Sequence, residues 1–195
     1  MQTYYSKFKE SDGKMEYNEV LPENASTIQI NTYIEFAIKA FERSKGIKMI
    51  EPYYGSKCSV TCSPWELMQI FTNLFKNAYE ATIEGARPKI IVRTYTMRGE
   101  SEGNPIREVV CEVEDFASGI ADDIQHKIWE PGFSTKSTSD EHIVRGQGLA
   151  VVRTILSKLH GRIEVESPVR ETTGALHNGT KFTLYLPYAH RQNIE

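Results

Sequence analysis

Apolar residues follow two different spacings along the chain, and these predict alternating helices and hairpins. Recurrence every three or four positions predicts three helices: residues 31–44 capped by Asn31, a segment from Pro64 to a stop at Gly85, and residues 149–159. Stretches typical of strands cover residues 28–30, 47–53, 57–61, 89–97, 106–114, 162–167 and 180–186, with turns or loops at Gly55, 98–105 and 168–178. This order predicts an α/β (α+β) two-layer sandwich, in which a mixed, mostly antiparallel sheet packs on one layer of helices.

Composition narrows the class of protein without identifying it. A chain of 195 residues with 39% hydrophobic and 10% aromatic residues has enough apolar material for one folded domain. A net charge of −3 disfavours a nucleic-acid partner. The three cysteines (Cys58, Cys62 and Cys111) favour a reduced, cytoplasmic setting over a disulfide framework. No apolar run reaches the roughly 18 residues of a membrane span, so we expect any membrane anchor of a longer protein to lie outside this sequence.

The second predicted helix carries strong start signals and two unusually placed amides. Ser63 as the cap, Pro64 at the first helical position and Glu66 in a capping box fix its start. Asn73 and Asn77 lie one turn apart on the face opposite the apolar stripe, although asparagine is a mediocre helix former. An amide oxygen can coordinate a hard cation such as Mg²⁺ that is shared with substrate phosphates. A solvated helix face is the simpler alternative for this pair taken alone.

Two later glycine-bearing segments offer complementary chemistry. Asp115 ends a predicted strand, where its carboxylate can accept a hydrogen bond from an exocyclic amine, and Gly119 lets the backbone approach a flat ring. The turn at residues 146–148 leads into a helix whose unsatisfied N–H groups favour phosphate. Lys136 and Arg145 precede this turn and can reach phosphate oxygens. Taken singly, each feature is also explained by a tight turn or by solvated loop charges.

Five segments, taken in order over residues 25–188, resemble the ATP-binding catalytic domain of sensor histidine kinases. They are NLFKNAYEA (asparagine box), DFASGI (first glycine box), IWEPGFSTKS (phenylalanine box), GQGLAVVRTIL (second glycine box) and GTKFTLYLP (last glycine-threonine strand). The wider superfamily, GHKL, includes gyrase, mismatch-repair and heat-shock chaperone ATPases. The resemblance implies a Bergerat-type fold that binds ATP without a P-loop, and the chain lacks a GxxxxGK[ST] segment.

The resemblance also implies roles for individual residues. Asn77 is implied as the magnesium ligand with Asn73 near the phosphates, and Asp115 as the partner of the adenine amino group beside Gly119. Residues 133–145 are implied to form the ATP lid, with Lys136 near the γ-phosphate, and we expect residues 134–146 to be mobile without nucleotide. The implied catalytic residues are Asn73, Asn77 and Lys136. The other implied nucleotide contacts are Ile120, Phe133, Thr135, Arg145, Gly146, Gly148, Leu149 and, behind the adenine, Thr180.

Three positions depart from the family's pattern. Ala117 stands where the family has the first glycine after the aspartate, Phe116 where asparagine is usual, and Ala150 where a glycine is common. Alanine costs little at a negative φ and more at a positive φ, so the effect on nucleotide affinity depends on the backbone conformation. A degenerate scaffold that binds a partner and no nucleotide is therefore one alternative function.

Asn73 bears on the type of reaction. In the hydrolysing relatives, the position four before the magnesium asparagine holds a glutamate that acts as general base, whereas Asn73 cannot take a proton. An imidazole acceptor needs less help from a base, so this amide favours phosphoryl transfer to histidine over a stand-alone GHKL ATPase, which is the second alternative. The five histidines lie in loops or at element ends, and we interpret each as a surface residue rather than the acceptor: His126, His142, His160, His177 and His190.

These features predict three parts of the chain and a set of partners. Residues 1–24 are interpreted as a linker or the remnant of a preceding dimerisation and phosphoacceptor domain, residues 25–188 as the ATP-binding catalytic domain, and residues 189–195 as a C-terminal tail. The expected partners are ATP with Mg²⁺, the kinase's own dimerisation domain with the acceptor histidine, and the receiver domain of a response regulator. The expected enzyme is a protein histidine kinase of a two-component system, whose transfer reaction needs the acceptor domain.

Overall fold

The structure, a computed structural model, describes residues 8–11, 14–17, 26–101, 104–134, 147–170 and 176–189. Within these residues the helices are α1 (Ile30–Lys45), α2 (Pro64–Glu80) and α3 (Gly148–Lys158), with a short 3₁₀ helix at Lys127–Trp129. The strands are β1 (Phe8–Ser11), β2 (Lys14–Tyr17), β3 (Ser26–Gln29), β4 (Ile50–Tyr54), β5 (Ser59–Cys62), β6 (Ile90–Ser101), β7 (Asn104–Asp115), β8 (Arg162–Glu166), β9 (Val169–Arg170), β10 (Leu176–His177) and β11 (Lys181–Pro187).

Five of these strands form the main sheet, in the order β4-β6-β7-β11-β8. β4 runs parallel to β6, and the other three pairings are antiparallel. Two-stranded pairs form separately between β1 and β2, β3 and β5, and β9 and β10. The sheet is therefore mixed and mostly antiparallel, as the sequence predicts.

The helices form one layer against one face of this sheet. α1 contacts α2, and α2 contacts α3. Apolar residues from these helices and from alternate sheet positions share one core, which includes Ile34, Phe41, Leu67, Phe71, Leu74, Val92, Cys111, Val113, Leu156 and Leu184. Side chains on a strand alternate between faces, so the two-period pattern of β7 sends Cys111, Val113 and Asp115 toward the helices. The predicted two-layer sandwich is confirmed.

The start of α2 agrees with the sequence, and its end does not. Ser63 Oγ accepts a hydrogen bond from the Trp65 N–H (3.2 Å), and the Ser63 N–H donates to Glu66 Oε2 (3.0 Å), which completes the capping box. The helix ends at Glu80 rather than at Gly85. The helical bonding breaks at Thr82, whose N–H donates to the Tyr79 carbonyl (3.2 Å) and whose Oγ1 donates to the Ala78 carbonyl (3.3 Å). The Ala81 carbonyl then accepts the N–H of Ser118 (3.3 Å).

The start of α1 corrects the expected cap. The helix begins at Ile30, one residue before the predicted cap, and its N-cap residue Gln29 makes no side-chain capping bond. Asn31 instead lies within the first turn and spans to the sheet. Its Nδ2 donates to the Gly55 carbonyl (2.9 Å), and its Oδ1 accepts from Thr94 Oγ1 (2.8 Å). The amide was needed for a long-range contact and not for the cap.

Several strand limits also differ from the prediction. The β6–β7 hairpin runs to a Ser101–Asn104 pair, so most of the predicted loop at 98–105 is strand, held by backbone pairing that polar side chains do not reveal. β4 and β5 flank Gly55 but belong to different sheets. β9 and β10 pair within the loop expected at 168–178, and β1 and β2 lie within the predicted linker at 1–24.

Candidate functional site

Asp115 is buried at the end of β7, and two backbone groups hold one of its carboxylate oxygens. Oδ1 accepts hydrogen bonds from the N–H groups of Ala117 (3.0 Å) and Thr180 (3.1 Å). Oδ2 takes no hydrogen bond from any residue that the structure describes. Burial raises the pKa of Asp115 to about 6, although the two N–H groups act in the opposite direction. The site therefore presents one free acceptor from a fixed, partly desolvated carboxyl group.

Two glycines allow the segments around Asp115 to approach each other closely. Gly119 has a φ of +76°, and a Cβ there would lie 2.9 Å from Ser167 Oγ. Gly179 has a φ of +144°, and a Cβ there would lie 2.2 Å from the Asp115 carbonyl oxygen. Ser167 Oγ joins the two loops, because it donates to the Gly179 carbonyl (2.6 Å) and accepts from the Ile120 N–H (2.8 Å). Gly179 lies within the GTKFTLYLP segment, and nothing in the sequence pattern marks this close contact.

Asn73 and Asn77 are half-buried on one face of α2. Asn73 Nδ2 donates to the Gln69 carbonyl (2.8 Å), which directs its oxygen away from the helix backbone. A Cβ on Gly148, the first residue of α3, would lie 3.1 Å from Asn73 Oδ1. The Asn77 side chain makes no hydrogen bond within the described part of the chain. The start of α3 thus packs against Asn73, while Asn77 keeps its amide available.

The C-terminal end of α2 connects these amides to the Asp115 loop. The Asn77 carbonyl accepts the Ala81 N–H (3.0 Å), and the Ala81 carbonyl accepts both the N–H (3.3 Å) and Oγ (3.4 Å) of Ser118. The eight steps along the chain from Asn73 to Ala81, the residue that follows the helix, span about 12 Å. One face of α2 therefore runs from the Gly148 turn at one end to the Asp115 loop at the other.

The remaining predicted site residues divide into two groups. Ile120, Phe133 and Leu149 are half-buried and pack against the core, and Thr180 is buried beside Asp115. Thr135, Lys136, Arg145 and Gly146 lie outside the described residues, as does the predicted mobile lid from residue 135 onward.

A cavity of about 360 Å³ lies next to the site, lined by residues 118–122 with Ser167, Pro168, Asn178 and Gly179. It includes no residue of α2 or α3, so it is not the space that the amides face.

The backbone conformation at Ala117 and Ala150 is compatible with alanine in place of the family's glycines. Neither residue has a positive φ, so alanine is compatible with the conformation at both positions. The Ala117 N–H also supplies one of the two bonds to Asp115. These two alanines therefore give no physical reason for the site to be degenerate.

Phe116 and His177 form a contact that sequence reasoning missed. Their rings stack with centroids 4.4 Å apart and an interplanar angle of 15°. His177 Nε2 lies 2.9 Å from Glu114 Oε1, and its side chain is only 15% exposed, so its interpretation as a surface residue is wrong. Burial alone would raise the pKa of Glu114, but hydrogen bonds from Arg93 and His177 outweigh it and hold that pKa below its usual value. Glu114 lies on the opposite face of β7 from Asp115. The Phe116 ring, just past the strand, stacks on the His177 ring that contacts Glu114, and it therefore lies on the Glu114 side.

The fold and the arrangement around α2 define a two-layer α/β domain of the Bergerat type. The sequence profile described as "Histidine kinase-, DNA gyrase B-, and HSP90-like ATPase" matches residues 63–190, which is more than half of the chain. The chain belongs to this family, and it is an ATP-binding domain of the kind found in sensor histidine kinases.

Curated relatives carry names of sensor kinases. The probable C4-dicarboxylate sensor kinase of Halalkalibacterium halodurans is 33% identical over 122 residues, which cover 63% of this chain and 20% of the relative. The sensory histidine kinase/phosphatase NtrB of Azospirillum brasilense is 29% identical over 163 residues, covering 80% of this chain and 40% of the relative. The chain thus spans less than half the length of these relatives.

Solved structures share the fold over most of the chain. The catalytic domain of histidine kinase ThkA superposes with a TM-score of 0.62 at 26% identity, covering 85% of this chain and 98% of that domain. The mycobacterial sensor histidine kinase MprB gives a TM-score of 0.63 at 20% identity, covering 84% of this chain and 97% of the other. Among the residues described here, no helix has both the length and the apolar character needed to cross a membrane.

Proposed function

We propose that this chain binds ATP with Mg²⁺ and is the catalytic domain of a sensor histidine kinase. It transfers the γ-phosphoryl group to a histidine on a dimerisation domain of the same kinase, from which a response regulator receives it. The observation that carries this proposal is the arrangement of Asp115 at one end of the α2 face, with Asn73, Asn77 and Gly148 toward the other. ATP as substrate and reduced cysteines favour a cytoplasmic location for the domain.

At the Asp115 end, the available acceptor suits adenine. Oδ2 can accept a hydrogen bond from the exocyclic amine, while the Ala117 and Thr180 N–H groups keep the carboxyl group in place through Oδ1. Gly119, with its positive φ and its close contact to Ser167, brings the backbone near this point. Ile120 supplies an apolar surface for the purine ring.

At the other end, amides and backbone N–H groups suit phosphates and a hard cation. Asn77 Oδ1 is the proposed magnesium ligand, since Mg²⁺ prefers oxygen ligands shared with substrate phosphates. When bound, the cation neutralises charge that develops on the phosphate oxygens. The start of α3 at Gly148 offers N–H groups to the same phosphates, and Lys136, Arg145 and Gly146 are proposed to add further contacts from the lid.

The reaction favoured at this site is transfer to an imidazole. The bond from phosphorus to the oxygen of the leaving ADP breaks as a bond to a neutral imidazole nitrogen forms. Asn73 is already a donor to Gln69, and a neutral amide does not activate water. A stand-alone ATPase therefore lacks its base at this position, whereas a nucleophilic histidine does not need one.

Replacing Asn77 with alanine tests the cation-binding end. We expect the affinity for ADP in the presence of Mg²⁺ to fall at least about tenfold, because a direct metal ligand is lost. With EDTA present, wild type and variant should bind within roughly twofold of each other, since the lost contact is to the cation. Titration calorimetry measures both. Lys76→Ala, which alters an exposed neighbour on α2, should leave both affinities unchanged.

The transfer reaction itself is tested with labelled ATP and the dimerisation domain that is proposed to carry the acceptor histidine. Label should reach the histidine of the added domain and be removed by acid, as expected for a phosphoramidate. Steady release of inorganic phosphate by the chain alone would instead support the ATPase. No heat with ADP or ATP would support a scaffold that binds no nucleotide.

The pKa of Asp115 predicts a pH dependence of binding. The proposed contact needs an ionised acceptor, and the free protein protonates this carboxyl group below about pH 6. We therefore expect ADP affinity to fall on acidification by about tenfold per pH unit once pH lies well below 6. Calorimetry between about pH 8 and about pH 5 measures it, and a flat profile over this range would contradict the role of Asp115.

A further inference from the structure

The contacts of His177 join the two segments that flank Asp115. Glu114 and Phe116 immediately precede and follow Asp115, and His177 contacts both of them. Along the chain His177 lies two residues before Gly179, which packs closely against the Asp115 carbonyl oxygen, and three before Thr180, whose N–H donates to Asp115 Oδ1. Both segments that shape the Asp115 acceptor are therefore held by one imidazole.

The hydrogen bonds of this imidazole identify its charge state. Nδ1 lies 2.7 Å from the Asn178 carbonyl oxygen, and Nε2 lies 2.9 Å from Glu114 Oε1. A carbonyl oxygen and an ionised carboxylate are acceptors only, so each ring nitrogen must donate. Only the doubly protonated imidazolium donates from both nitrogens. A neutral ring would face one of these oxygens with a lone pair.

The surrounding charges are compatible with this cation. Arg93 on β6 also bonds Glu114 (2.5 Å), and Lys89 lies 5.0 Å from the centroid of the Phe116 ring. Asp115 is a second nearby acid that interacts with His177. On β11, Lys181 pairs with Glu166 of β8 (2.5 Å), and Val169 of β9 lies opposite His177. The aromatic face of Phe116 suits a cation because it carries the negative part of the ring quadrupole.

We propose that protonated His177, stacked on Phe116, is a positioning residue for the adenine-binding carboxylate, so that nucleotide affinity falls when His177 loses its proton. His177 does not touch the nucleotide. It holds Glu114 and Phe116 against the 177–180 segment, and this sets the positions of the two N–H groups that orient Asp115. The inference rests on the proposed nucleotide site. It adds a loss of nucleotide affinity at alkaline pH to the loss at acidic pH that is expected from protonation of Asp115.

His177→Gln is the primary test, because glutamine retains one donor but not the charge or the aromatic face. We expect ADP to bind roughly fivefold more weakly near neutral pH, less than for loss of a direct charged hydrogen bond. In wild type the affinity should also decline as rising pH removes the proton of His177, and this decline should be absent from the variant. Phe116→Leu should weaken binding in the same direction, and Phe116→Tyr, which keeps the stack, should behave like wild type.

His126→Gln is the matched control, because His126 is an exposed histidine before the short 3₁₀ helix. It should change neither the affinity nor the profile. Equal affinity and an equal alkaline decline in wild type and His177→Gln would overturn the positioning role while leaving the nucleotide site intact. If His177→Gln does not fold, the comparison of Phe116→Leu with Phe116→Tyr decides in its place. Wild type that binds no ADP at any pH would refute the proposed function itself.

Discussion

Asp115→Asn is expected to weaken ADP binding severely while leaving the fold intact. Asparagine has nearly the same shape, so its oxygen can still accept from the Ala117 and Thr180 N–H groups. Its NH₂ group then replaces Oδ2 and faces the adenine amine, which places donor against donor. We expect ADP affinity to fall at least about a hundredfold, because a site built to pair with an amine is left with mismatched groups.

The same change should stabilise the free protein above about pH 6. The folded-state pKa of about 6 lies above the usual 3.8, so the contribution of Asp115 to stability is complete below 3.8 and is lost as pH rises through 6. At pH 8 the wild-type fold holds an ionised, buried carboxyl group at a cost of up to about 3 kcal/mol. Asparagine carries no charge and avoids this cost. The melting temperature of the variant should exceed that of wild type at alkaline pH, and the difference should disappear toward about pH 4.

Calorimetry and thermal unfolding, run on the same samples, separate these two effects. Asp122→Asn is a suitable control because it makes the same change on an exposed acid that contacts Gln125 (3.1 Å). A second comparison uses IDP, whose purine carries an oxygen where ADP carries the amine. Asp115→Asn should lose or reverse the preference for ADP over IDP. An unchanged preference would show that Asp115 does not contact the amine.

Local signals predicted those parts of the fold that depend on local contacts. The capping box at Ser63 and Glu66 forms within four residues of chain. The apolar residues of α2 repeat with the helical period, so its buried face can be recognised from the sequence. Both are confirmed. The limits that were wrong involve contacts that local patterns do not show: just past the end of α2, the Ala81 carbonyl accepts from Ser118, 37 residues away. Asn31 was misread as a cap because its true partner Thr94 is 63 residues away.

The candidate site follows the same division. The order of the five motifs predicted a nucleotide site around Asp115, Asn73 and Asn77, whereas each segment alone is also explained by a turn or a solvated helix face. Gly179 and His177 were missed, since their importance comes from contact with β7. His177 is 63 residues from Glu114, and the clash at Gly179 involves a backbone oxygen that no sequence pattern identifies. The departure at Phe116 was the signal in the sequence for the contact with His177.

Gly179→Ala is expected to have the largest effect on stability. A Cβ at this position would lie 2.2 Å from the Asp115 carbonyl oxygen. Asp115 ends β7, and its N–H donates to the carbonyl of Thr180 next to Gly179 (2.8 Å), which limits how far the two backbones can separate. The φ of +144° is also unfavourable for alanine. We expect a loss of about 3 kcal/mol or more in the free energy of unfolding, which lowers Tm by roughly 6–12 °C in a domain of this size.

Gly85→Ala separates the clash from the cost of the backbone conformation. Gly85 has a φ of +79°, and a Cβ there would meet no atom within 4 Å. Its replacement should therefore cost only the strain of a left-handed residue, about 1–2 kcal/mol. If both variants melted at the same temperature, the close packing of Gly179 on Asp115 would not contribute to stability. If Gly179→Ala melts lower, nucleotide should rescue it less than it rescues Gly85→Ala, because the displaced backbone is the part of the site that holds the carboxylate in place.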